Sequence, residues 1–254
     1  MKSYKIYKNS ISKKSSKLFF NFVLDLICSY EKNFQKKINY TGWDDYNFNR
    51  NLIKLRKNKK NVFSAIYDSI QNSNVLQKIP FENNLHKVAS KFLNVNESKL
   101  TIRSVSFRLD PPNDKRNSYD WHQDSAYDKF NVDSKNGALL WIPLVNTSKK
   151  NGTLIVKLGS EQSTYHCSKL TKKGTKYRSE QILVEKKYLK KFKSKQISVK
   201  QNNALTTFIG LFHKSGINTS NKFRFTIIVR YGNLFTNDFV SRRKLKGEDA
   251  TLSF

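Results

Sequence analysis

Residues 138–145 decide the fold and read Ala-Leu-Leu-Trp-Ile-Pro-Leu-Val. A short, nearly continuous apolar run of this kind is typical of a strand that is buried on both faces. The pair Asn151-Gly152 follows as a turn signal, and residues 154–156 (Leu-Ile-Val) begin another apolar run. This part of the chain is therefore predicted to be β structure.

The first hundred residues are predicted to be helical. Apolar residues recur at helical spacing within 17–31, 62–70 and 85–93. The segment 32–60 is polar and aromatic, and its pattern supports no assignment.

After about residue 99 the pattern changes to short β-like runs. Residues 101–109 alternate like a strand and stop at the Asp-Pro-Pro of 110–112, because proline cannot continue a ladder. Residues 204–212, which end just before His213, and residues 223–231 are predicted to be two more strands. Helices followed by strands predict an α+β protein, mainly β, whose core is a barrel or a sandwich.

We expect a single domain over residues 1–254. Within it, 1–98 are predicted to form a mostly helical flank, 99–232 the β core and 233–254 a C-terminal tail. A Lys-rich insertion at about 169–195 is interpreted either as plain surface or as a lid over the site.

The net charge of +29 over 254 residues is the most unusual feature of the composition. Of the 48 basic residues, 38 are Lys and only 10 are Arg, which is typical of an AT-rich genome and not of a dedicated nucleic-acid reader. Residues 161–200 hold twelve Lys and Arg against three Glu, whereas residues 105–160 hold eight against six Asp. The charge therefore lies outside the segment that carries the motifs, and an anionic small molecule is its one plausible functional partner.

The cysteine content and the apolar runs bear on localisation. Two cysteines cannot build a disulfide framework, which favours a reducing compartment. No run approaches the roughly 20 apolar residues that span a bilayer. We expect a cytoplasmic protein without a membrane span.

A metal site is predicted from three side chains. In an extended segment His122 and Asp124 project to the same side, and an imidazole nitrogen with a carboxylate oxygen suits a divalent transition metal. Alone, such a pair is a weak signal. A second imidazole, from His213, would complete a facial set of two histidines and one carboxylate.

Arg224 is the other unusual residue of the β half, because it lies inside an apolar strand. A buried guanidinium requires an anionic partner. Two partners remain open at this point: a carboxylate of a co-substrate, held by a bidentate pair, or a structural Asp.

Five features in order along residues 99–232 resemble the phytanoyl-CoA dioxygenase (PhyH-like) family of Fe(II)/2-oxoglutarate-dependent oxygenases. They are Trp-His-Gln-Asp at 121–124, Trp-Ile-Pro-Leu at 141–144, Asn-Gly-Thr-Leu at 151–154, His-Lys-Ser-Gly-Ile-Asn-Thr-Ser at 213–220, and Arg224. One departure is visible, since this chain has Glu161 where the family often reads His.

The resemblance implies a double-stranded β-helix, which is a jelly-roll or cupin-like barrel, with N-terminal flanking helices. It implies Fe(II) as the metal, 2-oxoglutarate as co-substrate and O2 as oxidant, with release of succinate and CO2. The resemblance assigns His122, Asp124 and His213 as iron ligands. It assigns Arg224 to the far carboxylate of 2-oxoglutarate, and Ser215 and Trp141 to the walls around that co-substrate.

The expected reaction is hydroxylation of an unactivated C–H bond in a small metabolite such as a sugar, lipid or acyl derivative. Asp124 favours hydroxylation over halogenation, because the halogenase branch of such oxygenases has a small residue at that position. Residues that flank the motif are the substrate-binding candidates: Arg108, Gln123, Ser125 and Tyr127.

Several alternatives stay open. Desaturation, epimerisation or ring closure could replace hydroxylation, and the chain could be a non-catalytic jelly-roll binding protein. A basic nucleic-acid-binding protein is the least favoured class. The sequence leaves the oligomeric state open.

Overall fold

The computed structural model describes residues 2–34, 39–114, 118–128, 135–162, 167–170 and 181–236. Its α-helices are α1 (Lys13–Tyr30), α2 (Tyr46–Asn58), α3 (Lys60–Gln71), α4 (Asn74–Glu82), α5 (Leu85–Leu93), α6 (Ser125–Asp128) and α7 (Lys186–Leu189). Its strands are β1 (Tyr4–Tyr7), β2 (Leu100–Asp110), β3 (Gly137–Pro143), β4 (Leu154–Lys157), β5 (Cys167–Leu170), β6 (Ile182–Val184), β7 (Ser194–Ile197), β8 (Ala204–Phe208), β9 (His213–Ser215) and β10 (Arg224–Asn233). Across these ranges, no helix combines the length and the apolar character that crossing a membrane requires.

All strand pairs in the described ranges are antiparallel, and they form three sheets. The large sheet has the order β1-β8-β3-β10-β2, the small sheet β7-β4-β9, and β5 pairs with β6. A buried apolar cluster joins the large sheet to the small one, with Trp141 and Ile228 from the former and Leu154 and Val156 from the latter. Two facing antiparallel sheets with flanking helices make the jelly-roll architecture expected from the sequence.

The helices cover the other face of the large sheet. Because side chains alternate along a strand, Phe225, Ile227 and Val229 of β10 face the helices while Ile228 faces the small sheet. Aromatic rings fill this layer: Phe225 lies 4.9 Å from Trp43 and 6.2 Å from Phe107 between ring centroids.

Helix α1 shows how the sequence builds this layer. Ser12 caps the helix, and its side chain accepts a hydrogen bond from the Ser15 backbone N–H. The residues that α1 buries recur at helical spacing and form its sheet-facing side: Ser16, Phe19, Phe20, Val23, Leu24 and Ile27.

The N-terminal flank differs from the expectation in one respect, since β1 pairs with the edge strand β8 of the large sheet. The segment 32–60, which the sequence left unassigned, contains α2. Residues 171–180 of the Lys-rich insertion and the tail beyond 236 lie outside the described residues.

The predicted strand over 204–212 is too long. β8 ends at Phe208, a turn follows in which the Leu211 N–H donates to the Phe208 carbonyl, and His213 begins β9 in the small sheet. Leu211 and Phe212 stay fully buried through this turn. An apolar run does not distinguish a strand from a buried turn, which explains the difference.

Phe225→Ala should lower the free energy of unfolding by about 3–5 kcal/mol, because it removes a fully buried ring from the layer between helices and sheet. Urea unfolding measures the change. Phe81→Ala is the control, because the Phe81 side chain is 66% exposed and its loss should change the stability by about 0.5 kcal/mol or less. Equal effects of the two variants would contradict this description of the core.

Candidate metal centre

Two distant segments meet through the backbones of His122 and His213. The His122 N–H donates to the His213 carbonyl at 3.0 Å, and the His213 N–H donates back to the His122 carbonyl at 3.1 Å. The two imidazole ring centroids are 4.2 Å apart as a result. Helix α6 starts at Ser125 and ends this extended segment directly after Asp124.

Each imidazole is oriented by a backbone carbonyl. His122 Nδ1 lies 2.7 Å from the Asp120 carbonyl oxygen, and His213 Nδ1 lies 2.9 Å from that of Leu211. With Nδ1 donating to a carbonyl, Nε2 carries the lone pair that binds a metal.

Asp124 completes a set of three ligand atoms. Its Oδ1 lies 3.7 Å from His122 Nε2 and 4.0 Å from His213 Nε2. One ligand atom from each of the three residues lies within 4.8 Å of the others, and all three residues are buried. We call these three side chains the donor set.

The protonation states suit a cation. Burial, followed by the charge of His213, lowers the pKa of His122 to about 3, so this imidazole is neutral at pH 7. Burial alone would raise the pKa of Asp124, but the charge of Arg230 and the neighbouring imidazoles outweigh it and lower that pKa to about 2. A neutral His122 imidazole beside an ionised Asp124 carboxylate is what a divalent transition metal requires of these two ligands.

One atom of the donor set points to a missing ligand. Among the residues described, nothing forms a hydrogen bond with the buried Oδ2 of Asp124. A buried carboxylate oxygen without a partner is costly, and a metal ion would satisfy it. The donor set therefore fits a metal in two respects: its ligand types suit a divalent cation, and its unpartnered carboxylate oxygen needs one.

A second charged cluster joins β2 to β10. Arg224 Nε and Nη2 donate to Asp110 Oδ2 at 3.3 and 2.8 Å, and its Nη1 donates to the Gly216 carbonyl at 3.2 Å. Arg108 Nη2 donates to the other Asp110 oxygen at 2.8 Å. The partner of Arg224 in this structure is thus a structural Asp, one of the two options that the sequence left open.

The cluster still has capacity for an anion. Arginine carries five N–H groups, and Arg224 uses three of them in these contacts. Two N–H groups, one on each terminal nitrogen, have no partner in the described part of the chain. Two arginines around one Asp110 also leave one positive charge in excess within the cluster.

Glycine is required at two positions beside Arg224. Gly152 has φ +78°, and a Cβ there would lie 2.5 Å from both Arg224 Nη1 and the Gly216 carbonyl oxygen. A Cβ on Gly216 would lie 2.5 Å from the Thr153 carbonyl oxygen. The two glycines allow two loops to close around the guanidinium.

A cavity of about 340 Å³ connects the donor set with this cluster. It is lined by His122, Asp124, His213, Arg108, Arg224, Arg230, Ser104, Ser106, Ser215, Thr153, Tyr67, Tyr119, Tyr127, Leu139, Trp141, Leu154 and Ile228. The Trp141 ring stacks with the Arg224 guanidinium at 5.7 Å and so forms part of the wall beside it.

Four of the residues predicted around the metal and co-substrate motifs do line the cavity, namely Arg108, Tyr127, Ser215 and Trp141. Ser215 lies on β9, and its Oγ accepts a hydrogen bond from the Tyr119 N–H at 3.3 Å.

Gln123 and Ser125 do not line the cavity, contrary to the expectation from the sequence. Both are buried, and Gln123 Nε2 donates to the Gly210 carbonyl at 2.8 Å. Side chains alternate in an extended segment, so Gln123, between His122 and Asp124, faces the opposite side. Ser125 already belongs to helix α6.

The sequence reasoning missed Arg230, whose Nη2 lies 3.1 Å from Asp124 Oδ1. A signal was present, because Arg230 and Arg224 are an even number of residues apart on one strand and so share a face. Asp110 was also missed, since it was interpreted only as a strand terminator before proline.

The insertion after residue 169 is tied to the metal-binding loop. The Gln181 side chain accepts a hydrogen bond from the Asp120 N–H at 3.0 Å and donates to the Ser118 carbonyl at 2.9 Å. The backbone N–H of Ile182 donates to the Tyr127 hydroxyl at 2.9 Å. Residues 181–184 therefore pack against the segment 118–127, which carries His122 and Asp124.

The fold and the donor set together define a double-stranded β-helix protein with a two-histidine, one-carboxylate site. The model of the phytanoyl-CoA dioxygenase (PhyH) family matches residues 45–226, and the chain belongs to this family. No curated protein sequence gives a significant match.

Solved structures share the fold at low sequence identity. The non-heme alpha ketoglutarate dependent carbocyclase SnoK has a TM-score of 0.59 at 13% identity, with 91% of this chain and 80% of that chain covered. The epimerase SnoN, in complex with Fe3+, alpha ketoglutarate and nogalamycin RO, has a TM-score of 0.57 at 10% identity, with 98% and 88% covered. The non-heme monooxygenase ThoJ has a TM-score of 0.55 at 15% identity, with 91% and 74% covered.

Gly152→Ala should lower the free energy of unfolding by about 1–3 kcal/mol, because the new Cβ meets Arg224 and Gly216 at a positive φ. Urea unfolding measures it. Gly42→Ala is the matched control, since a Cβ there meets nothing within 4 Å. If both alanines are tolerated equally, the close approach around Arg224 is refuted.

Asp110 should make stability depend on pH. Burial alone would raise its pKa, but Arg108 and Arg224 outweigh burial and lower it to about 2, below the value of about 3.9 in an unfolded chain. A depressed carboxyl pKa stabilises the fold above about pH 4, and this contribution is lost as the pH falls toward 2. At pH 7 the lowered pKa of Asp110 should contribute about 2–3 kcal/mol to the free energy of unfolding, because each pKa unit corresponds to about 1.36 kcal/mol.

Denaturant unfolding of the native chain and Asp110→Asn between pH 7 and pH 3 measures this contribution. The stability difference between them should shrink as the pH falls. Asp44→Asn is the control, because the Asp44 side chain is 79% exposed. A difference that stays constant over this range would contradict the assignment.

Proposed function

We propose that the chain is a Fe(II)- and 2-oxoglutarate-dependent oxygenase that hydroxylates a small, anionic metabolite. The observation that carries the proposal is that the donor set and the two arginines of the Asp110 cluster line the same cavity. Membership of the PhyH family supports the same class of enzyme.

His122, Asp124 and His213 would hold the iron. Because they would supply only three ligand atoms, the metal could also bind the co-substrate and O2. Bound Fe(II) would supply the activation of O2 that oxidation of a C–H bond requires.

Arg224 would bind the far carboxylate of 2-oxoglutarate. Its two unused N–H groups provide a planar fork for a carboxylate, and the excess positive charge of the cluster provides the electrostatic attraction. Asp110 and the Gly216 carbonyl fix the guanidinium before the co-substrate arrives. Trp141 and Ser215 would form the walls of this part of the cavity.

The proposed reaction is balanced as follows: substrate C–H, 2-oxoglutarate and O2 give substrate C–OH, succinate and CO2. The two oxygen atoms enter the new hydroxyl and the new carboxylate of succinate. The chain itself binds and orients both substrates and excludes bulk water from a buried donor set.

The lining of the cavity supports an anionic substrate. Arg108 and Arg230 line it together with Ser104, Ser106 and three tyrosines. Among the described lining residues the one carboxylate is Asp124, which belongs to the donor set. We therefore propose a substrate with a carboxylate or phosphate group.

The reaction type that we propose within this class of oxygenase is hydroxylation. The similar structures include proteins described as a monooxygenase, an epimerase and a carbocyclase, all on the same fold. Product analysis by mass spectrometry separates these outcomes, because hydroxylation adds one oxygen, epimerisation leaves the mass unchanged and ring closure removes two hydrogens.

Asp124→Ala should abolish succinate formation from 2-oxoglutarate, because it removes the one carboxylate of the donor set. The measurement is succinate production across pooled anionic metabolites, with an anaerobic titration of Fe(II) and 2-oxoglutarate that follows the visible charge-transfer band. Asp44→Ala, which removes an exposed carboxylate, should retain both signals.

Full activity in Asp124→Ala would overturn the assignment of the donor set. A native chain that gives neither the absorption band nor succinate would instead favour a non-catalytic jelly-roll binding protein. Salt-dependent retention of DNA or RNA would favour the nucleic-acid-binding alternative.

A further inference from the structure

Arg230 neutralises the charge of Asp124 in the structure. Its Nη2 donates to Asp124 Oδ1 at 3.1 Å, and its Nη1 donates at 3.3 Å to the hydroxyl of Ser104, the residue directly opposite on β2. The Asp124 side chain is only 3% exposed, and a carboxylate that is buried so deeply requires a positive partner. The guanidinium supplies that partner without any metal.

The backbone around Arg230 is irregular. The register between β10 and β2 shifts there, since Arg230 pairs with Ser104 whereas Tyr231 pairs with Ile102. Such bulges are common beside active sites, where they change the direction of a side chain. The fold thus provides a specific position for this guanidinium at the cavity wall.

Arg230 holds the same oxygen that faces both imidazoles. Asp124 Oδ1 is the atom that lies 3.7 and 4.0 Å from the two Nε2 atoms. A divalent cation bound by the donor set would therefore share the Asp124 carboxylate with the guanidinium. Two cations on one carboxylate repel each other, so each weakens the binding of the other.

We infer that Arg230 is the internal counter-ion of Asp124 in the metal-free protein, and that a divalent cation takes over this role when it binds. Arg230 is thus a positioning residue: it keeps the empty donor set folded and lowers its affinity for the metal. The inference rests on the proposed function, because it requires the donor set to bind a metal ion.

The test uses Co(II) alone, without substrate. Thermal unfolding at pH 8, with and without Co(II), is compared for the native chain and Arg230→Met, and calorimetric titration gives the Co(II) affinity. Without metal, the midpoint of Arg230→Met should fall by roughly 5–10 °C, because Asp124 loses its buried partner. Arg230→Met should bind Co(II) at least about tenfold more tightly than the native chain does. Co(II) should therefore raise the unfolding midpoint of Arg230→Met by more than it raises that of the native chain.

Two variants serve as controls. Arg230→Lys retains the charge and should bind Co(II) with nearly the native affinity. Arg56→Met breaks an Arg–Asp pair with Asp114, and neither residue lines the cavity as described. It should lower the midpoint without changing the Co(II) affinity, which separates the proposed coupling from a general loss of stability.

The outcomes distinguish this inference from the proposed function. If the native chain binds Co(II) and Arg230→Met binds it equally or more weakly, the inference is wrong and the metal site stands. If the native chain does not bind Co(II), both are overturned. Should Arg230→Met fail to fold, D124N/R230M decides: recovery of folding supports the inference, because the buried charge is gone, and continued failure overturns it.

Discussion

The two backbone hydrogen bonds between His122 and His213 are the contact on which the rest of the site depends. They join the loop before α6 to the first residue of β9, and they bring two imidazoles together that lie far apart in the sequence. The carbonyls of Asp120 and Leu211, each two residues before its histidine, set the orientation of the rings. Position and tautomer are thus both set by main-chain atoms.

Strand β10 packs an apolar face against the helices and carries two arginines of the site on its opposite face. Phe225 and Val229 pack against the helices, whereas Arg224 and Arg230 face the cavity from the same strand. Burial of charge is tolerated because each guanidinium has a carboxylate from another element, Asp110 for one and Asp124 for the other. The strand that anchors the hydrophobic core therefore also carries the electrostatic pattern of the site.

The sequence revealed the parts of the site that depend on local spacing. Arg224 was conspicuous because a charge inside an apolar strand needs a partner, yet its partner lies on another strand and no local pattern could identify it. Arg230 was missed because it follows the apolar run and looks like a surface residue. Gln123 was misplaced because proximity in sequence does not decide which side of a strand a residue faces. The turn between β8 and His213 was missed for a similar reason, since burial leaves the same apolar pattern in a turn and in a strand.

Gln181 ties the metal-binding loop to strand β6 through both ends of its amide. Any local opening that releases β6 must break the hydrogen bond to the Asp120 N–H, in the same peptide region whose carbonyl orients His122. The donor set and residues 181–184 should then open together, and amide protons in both should exchange with solvent at a common rate.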